Sequence, residues 1–120
     1  MYKIVLDGMG GDHAPQAIVE GACLAVNELD VEVIIVGPED VIQKELDRLS
    51  STYTIKNIII QHASEVVGMA ESPSVSFRRK KDSSIRVGLE LVKEGKADAF
   101  VSAGNTGAVM AASTLIFGKI

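Results

Sequence analysis

Four short apolar segments alternate with segments of helical periodicity along this chain, and this alternation constrains its fold more than any other feature. The apolar segments are residues 2–7, 31–37, 56–63 and 97–104. Their length and their content of Val and Ile predict buried strands. Helical patterns begin at residue 15 and cover residues 38–49, 84–95 and 105–117, with a further helical turn at 75–80. Strands that alternate with helices predict βαβ units and an α/β fold with a mostly parallel sheet.

The composition excludes several classes of protein. A length of 120 residues suits one domain. Aromatic residues make up 4% of the chain, so the core must come from Val, Ile, Leu and Ala, as in buried parallel sheets. A net charge of -4 argues against a general nucleic-acid-binding protein. The sequence shows neither the apolar region of a secretory signal nor an apolar run of about 18 residues, so neither secretion nor a membrane span is predicted.

Cysteine usage and the last helix add two expectations. The single cysteine, Cys23, falls on the apolar face of the first predicted helix, which predicts core packing. A reducing compartment is the expected location. The helix predicted at 105–117 is almost wholly apolar, so it should be covered on most sides. Either a partner covers it or the chain is part of a longer protein, and we favour the second interpretation.

The turn "GMGGD" follows the first predicted strand and precedes a helix. Gly8, Gly10 and Gly11 lie within four positions, between Asp7 and Asp12. Ligands of open parallel sheets bind at the carboxyl ends of the strands, where helix N-termini offer unpaired N–H groups. The turn therefore predicts a ligand-facing loop. The alternative is a tight turn where the helix packs close to the strand, with Asp12 as a helix cap.

A second turn of this kind, "SAGNTGA", follows the fourth predicted strand. It contains small hydrogen-bonding residues and glycines that let a ligand approach the backbone, namely Ser102, Gly104, Asn105, Thr106 and Gly107. This turn is the stronger candidate for ligand binding. The alternative is a simple helix cap formed by the Asn or Thr side chain.

The glycine spacing argues against nucleotide cofactors. A dinucleotide-binding turn requires G-x-G-x-x-G, and His13 occupies the position of the third glycine. The second strand ends at Gly37 without the acidic residue that binds a ribose hydroxyl, and no stretch matches a P-loop. Inorganic phosphate or a small phosphorylated ligand remains as the predicted ligand, and no cofactor is expected.

Basic and histidine residues give weaker signals. The stretch "RRKKDSS", residues 78–84, carries four consecutive cations that predict a solvated surface, a phosphate contact or docking of an acidic partner. Ser83 or Ser84 is expected to cap the next helix. His13 and His62 are more consistent with surface or capping roles than with a site. Two isolated histidines predict no metal site.

Several stretches together resemble the bacterial phosphate acyltransferase (PlsX) family. They are "LDGMGGDHAP", "KKDSSIRVGLELVKEGKADAFVSAGNTGA" and "VMAAS", and the resemblance extends over nearly the whole chain. It covers only the N-terminal part of the family's longer members. It implies a three-layer α/β/α sandwich like that of phosphotransacetylases and isocitrate-type dehydrogenases. It also implies transfer of a fatty acyl group from acyl carrier protein, an acidic protein, to inorganic phosphate.

The same resemblance implies location and partners, and together with the two turns it leads to a hypothesis for the site residues. It implies a cytoplasmic enzyme that associates peripherally with the membrane and forms a homodimer when full length. Two walls of a phosphate site are expected, one from the second turn and one from the first, with Asn105 and Asp12 as catalytic residues. The expected binding residues are Gly10, Gly11, Ser102, Gly104, Thr106, Gly107 and Lys81, with Lys80 as the alternative cation. Isolated activity of the 120-residue chain is not expected.

Two other kinds of function remain open at this point. One is a different enzyme on the same fold, either a coenzyme A-dependent phosphate acyltransferase or a decarboxylating dehydrogenase that uses nicotinamide and a divalent metal. The other is a non-catalytic module that binds phosphate or carrier protein. Turnover distinguishes the module from the enzymes, and metal-dependent NAD reduction identifies the dehydrogenase.

Overall fold

The computed structural model describes residues 1–118, and strands and helices alternate along them in the predicted order. The strands are β1 (Tyr2–Asp7), β2 (Val31–Gly37), β3 (Ile58–His62) and β4 (Ala99–Val101). The helices are α1 (Gln16–Glu28), α2 (Glu39–Leu49), α3 (Pro73–Arg79), α4 (Ser84–Lys93) and α5 (Thr106–Phe117). Two helices, α3 and α4, separate β3 from β4.

The four strands form one parallel sheet in the order β3-β2-β1-β4. The chain therefore moves from β1 to β2 and β3 in one direction, and β4 then joins the other side of β1. Leu6 of β1 pairs with Ile35 on one side and with Val101 on the other. The direction of the strand order thus reverses at β1, so the first and last strands are neighbours.

Both faces of the central strand β2 are buried, which explains why Val33–Gly37 is a continuous apolar run. In β2, Val33 and Ile35 belong to the core cluster beneath α1 and α2. Ile34 and Val36 belong to a second cluster on the opposite face, beneath α4. A strand buried on both faces has no polar position to alternate with, as expected of parallel sheets. The predicted three-layer α/β/α arrangement is confirmed.

Helix α5 packs against α3 and α4 instead of against the sheet. Ala108, Ala112 and Ile116 of α5 form a third cluster with Ile85 and Leu89 of α4. The other side of α5 exposes Met110 and Leu115, at 66% and 62% of their full accessibility. Within residues 1–118 the helix is therefore covered on one side only.

The observed elements differ from the predicted ones mainly at their ends. The third strand, predicted at 56–63, spans Ile58–His62, because Asn57 before it has a positive φ of 54°. The fourth, predicted at 97–104, spans only Ala99–Val101, since Ser102 begins the turn toward α5. The helical turn predicted at 75–80 is the two-turn helix α3. Pro15 precedes α1 as its cap residue.

Both ends of α4 are capped. The Oγ of Ser83 accepts a hydrogen bond from the N–H of Arg86 at 3.1 Å, which confirms Ser83 as the cap of α4. Gly95 ends the same helix with a φ of 77°, and the N–H of Lys96 reaches the carbonyl of Leu91 at 2.9 Å. This pairing satisfies the last carbonyls of the helix and needs the left-handed conformation that glycine adopts readily.

Cys23 is fully buried among the side chains beneath α1 and α2, which confirms its predicted core position. Burial is the main cause that raises the pKa of its thiol, and the charge of Glu20 adds to it. A thiol kept protonated in this way is a poor nucleophile.

No helix within residues 1–118 has the length and apolarity needed to cross a bilayer.

Two helical glycines give a direct test of the packing between α4 and the sheet. A Cβ on Gly88 would lie 2.5 Å from the Phe100 ring, whereas a Cβ on Gly21 would meet nothing within 4 Å. Replacing Gly by Ala gives the same increase in helix propensity at both positions. The difference between the two variants in the free energy of unfolding therefore measures the clash with Phe100. We expect Gly88→Ala to be less stable than Gly21→Ala by about 2 kcal/mol in urea unfolding. Equal free energies of unfolding would show that Phe100 moves aside at no cost.

Candidate functional site

The two glycine turns meet at the carboxyl edge of the sheet, where the strand order reverses. They follow β1 and β4, which are adjacent and parallel, so both turns leave the sheet on the same side. A Cβ on Gly10 would lie 2.9 Å from the backbone nitrogen of Gly104. Open α/β sheets bind ligands in the crevice at such a reversal point. The structure therefore brings together the two predicted walls at the place where this kind of fold binds its ligands.

A buried carboxylate joins the two turns. Asp7 is 1% exposed, and its Oδ2 accepts a hydrogen bond from the Ser102 hydroxyl at 2.8 Å. The Ser102 Oγ in turn accepts from the N–H of Gly104 at 3.0 Å. The other carboxylate oxygen, Oδ1, accepts from the N–H of Met9 at 3.1 Å. Asp7 and Ser102 thus hold the ends of β1 and β4 in a fixed relation.

Packing explains much of the glycine content of the first turn. A Cβ on Gly8 would lie 2.8 Å from the side chains of Ile35 and Ile42, and one on Gly10 would lie 2.9 Å from the Asp7 carboxylate. Gly11 has a φ of 94°, which favours glycine, and it lies against Ala103 of the second turn. The tight-turn interpretation therefore accounts for Gly8 and Gly10. Beyond Gly11, Asp12 and His13 are exposed at the edge of the sheet.

Asn105 is the cap of α5 and also the anchor of a distant loop. Its Oδ1 accepts a hydrogen bond from the N–H of Ala108 at 3.0 Å, as the capping interpretation predicts. Its Nδ2 donates to the carbonyl oxygens of Gly68, Met69 and Glu71 at 3.0, 3.2 and 3.0 Å. The residue is 6% exposed. Both ends of the amide are used in these bonds, so Asn105 positions the loop and the helix.

The first turn of α5 leaves backbone donors free. Among residues 1–118, the N–H groups of Thr106 and Gly107 have no acceptor, as is normal at a helix start. Thr106 is exposed beside them. A Cβ on Gly107 would lie 2.7 Å from Cγ of Pro73, so α3 and α5 approach each other closely here. Two free donors at the positive end of a helix dipole suit an anion.

The two candidate lysines have different surroundings. The Nζ of Lys80 bonds to the Glu71 carboxylate at 2.5 Å and to the carbonyl of Val66 at 2.6 Å. This bond to Lys80 is the main cause that lowers the pKa of Glu71. Lys80 therefore stabilises the loop that Asn105 anchors. Lys81 is exposed and forms no ion pair with another residue of 1–118.

His62 lies away from the two turns, whereas His13 is exposed directly after Asp12. The Nδ1 of His62 accepts a hydrogen bond from the N–H of Glu39 at 3.0 Å, so it caps the start of α2. Residues 1–118 contain no group of three or more His, Cys, Asp or Glu side chains placed to hold a metal ion.

The sequence did not predict a role for Glu71 or for the loop that Asn105 anchors. The only available signal was the run of polar residues before Pro73, and it names no partner.

Comparison with known proteins identifies the family. The family model described as "Fatty acid synthesis protein" matches residues 2–120, and the chain belongs to this family. The chain is 55% identical over 120 residues to the phosphate acyltransferase of Desulforamulus reducens, covering 100% of this chain and 35% of that protein. It is 51% identical over 117 residues to the phosphate acyltransferase of Clostridium kluyveri, covering 98% of this chain and 34% of that protein. The chain thus spans about a third of the length of these relatives.

Replacing Asn105 with Asp isolates the anchoring role of the side chain. Asn105→Asp keeps the acceptor for Ala108 but places a buried carboxylate against three carbonyl oxygens. We expect a loss of about 3 kcal/mol in the free energy of unfolding. The matched control is Asn27→Asp, an exposed amide that donates to the carbonyls of Cys23 and Thr54. We expect that change to cost about 1 kcal/mol or less. A loss at position 105 no larger than at position 27 would contradict the anchor.

Ser102→Ala tests the bond between the two turns. The change leaves Oδ2 of buried Asp7 and the N–H of Gly104 without their partner, so we expect a cost of about 1–3 kcal/mol. Ser113→Ala is the control, because within residues 1–118 the Ser113 hydroxyl bonds only to the Val109 carbonyl of its own helix, and Ala favours a helix. Amide hydrogen exchange at residues 8–11 and 102–107 should accelerate in Ser102→Ala alone. Unchanged exchange would show that the turns are held by other contacts.

Proposed function

We propose that this chain forms the N-terminal part of a phosphate acyltransferase that transfers a fatty acyl group from acyl carrier protein to inorganic phosphate. The product is an acyl phosphate used in phospholipid synthesis. The main support is the meeting of two glycine turns at the reversal point of the sheet, in a member of the fatty acid synthesis family. The names of the relatives, phosphate acyltransferases, support the same reaction.

In this proposal phosphate binds at the start of α5. The N–H groups of Thr106 and Gly107 donate to its oxygens, and the helix dipole stabilises its charge. Gly10 and Gly11 form the facing wall, where a side chain would block the approach of the two turns. Lys81 supplies a mobile positive charge. Gly104 and Ser102 keep the walls in place through their hydrogen bond, and Asn105 acts as a positioning residue.

Asp12 is the proposed catalytic group of the chain. Its exposed carboxylate follows Gly11, so it can accept the hydrogen bond of a phosphate hydroxyl and orient the nucleophilic oxygen. That oxygen attacks the thioester carbonyl carbon, and the carbonyl oxygen becomes an oxyanion. When the oxyanion collapses, the carbon–sulfur bond breaks and the sulfur takes the proton that phosphate loses. The products are acyl phosphate and the free carrier thiol, so no enzyme nucleophile is required and Cys23 remains in the core.

The reaction is tested by phosphate-dependent release of carrier thiol. Since the chain spans a third of its relatives, we would fuse it to the remaining part of the Desulforamulus reducens protein. We expect thiol release that saturates with phosphate, and a decrease of roughly 10²-fold in kcat for Asp12→Asn. Asp30→Asn is the control, because Asp30 is exposed at the opposite edge of the sheet. Equal activity of the two variants would remove Asp12 from the mechanism.

Other outcomes of the same assay separate the alternative functions. Release from coenzyme A thioesters but not from acyl carrier protein would indicate a phosphotransacetylase-type enzyme. Metal-dependent NAD reduction would indicate a dehydrogenase. Phosphate binding by the 120-residue chain, without turnover by the fused protein, would indicate a binding module.

A further inference from the structure

Helix α3 presents a basic face to solvent. Val75, Arg78 and Arg79 are all exposed, and their spacing of three and four residues places them on one side of the helix. Residues three and four apart are neighbours on a helix surface, so these three side chains form one patch. Lys81, two residues beyond the end of the helix, is also exposed. We call Val75, Arg78, Arg79 and Lys81 the basic face.

The opposite side of α3 is held firmly against the rest of the molecule. Ser76 is buried, and its hydroxyl donates to the Glu71 carboxylate at 3.0 Å. The Arg86 guanidinium lies 4.3 Å from the centroid of the Phe77 ring and donates to the Phe77 carbonyl at 3.0 Å. A helix of two turns is marginal alone, so these contacts determine its orientation. The basic face is therefore presented in a fixed geometry.

The charge of this face is opposite to that of the chain as a whole. The chain carries a net charge of -4, yet residues 78–81 are four consecutive cations. Of these, only Lys80 forms an ion pair with another residue of 1–118. The charges of Arg78, Arg79 and Lys81 therefore face solvent. Val75 is 37% exposed and adds an apolar surface beside them. A cationic patch on an acidic protein is suited to a partner of opposite charge.

We propose that the basic face docks an acidic protein surface, and that its partner is the carrier of the acyl donor; this inference rests on the proposed function. The start of α3 contacts the start of α5, since a Cβ on Gly107 would lie 2.7 Å from Pro73. A carrier bound on α3 therefore lies next to the helix that begins at the proposed phosphate site. The face is too short and too poor in large apolar side chains for a membrane-surface helix, which favours a protein partner.

Binding of acyl carrier protein to this chain tests the surface directly. We would measure the Kd by fluorescence anisotropy of labelled carrier for the unchanged chain and for Arg78→Glu/Arg79→Glu. We expect the double variant to bind roughly tenfold more weakly or worse, with a reduced dependence of Kd on salt. The control is Lys44→Glu/Lys56→Glu, which makes the same change in net charge at exposed positions on α2 and before β3. We expect its Kd to stay within about twofold of the unchanged chain.

Several results would overturn the inference. They are equal weakening in the two double variants, no binding by the unchanged chain, or binding to anionic lipid vesicles in place of the carrier. Urea midpoints of the variants show whether a loss of binding reflects unfolding.

Kinetics of the fused enzyme separate this inference from the proposed function. We expect Arg78→Glu/Arg79→Glu to raise the KM for acyl carrier protein and to leave the KM for phosphate unchanged. Turnover by the variant with an unchanged KM for the carrier would refute the docking role of the basic face and leave the proposed function intact. Weaker carrier binding by the variant, in a fused protein that lacks turnover, would refute the function and keep the docking surface.

Discussion

The hydrogen bond between the buried Asp7 carboxylate and the Ser102 hydroxyl is the interaction on which the rest of the structure depends. It joins residues 95 positions apart in the chain and links the carboxyl ends of β1 and β4, where the strand order reverses. Removing a carboxylate from water is costly unless its oxygens are bonded, and here both oxygens have donors. The geometry of the two turns is therefore specified by a polar contact within an otherwise apolar core.

Asn105 fixes a further part of the structure, farther from the sheet. Its amide connects the first turn of α5 to the loop before α3, and the Lys80–Glu71 pair attaches the same loop to the end of α3. The candidate phosphate site and the basic face are consequently linked through one hydrogen-bonded loop. In the proposed function this link sets the position of the acyl donor relative to phosphate, and that position affects the rate.

The sequence predicted the elements better than their contacts. The strands of residues 2–7 and 31–37 match the structure because their signals are local: short β-branched runs followed by glycine. The meeting of the two turns was also predictable, since parallel strands end at the same edge. The three carbonyls bound by Asn105 were not, because that contact spans 34 to 37 residues and depends on how α3 packs. The sequence indicated that Asn105 caps a helix, but it did not indicate that the Asn105 Nδ2 binds the loop before α3.

The glycines of the two turns have a packing role that does not depend on any ligand. A side chain at Gly10 or Gly107 would collide with the molecule itself, so packing alone is enough to require glycine there. The ligand-binding interpretation therefore rests on what surrounds those glycines: the free N–H groups of the first turn of α5, the exposed Asp12 and the reversal point of the sheet. A glycine that allows two backbones to approach closely can also leave room for a small anion, so the two interpretations do not exclude each other. At Gly10 the missing Cβ lets the first turn touch the backbone of Gly104. The free N–H groups of Thr106 and Gly107 are a separate feature of the second turn, because they begin helix α5.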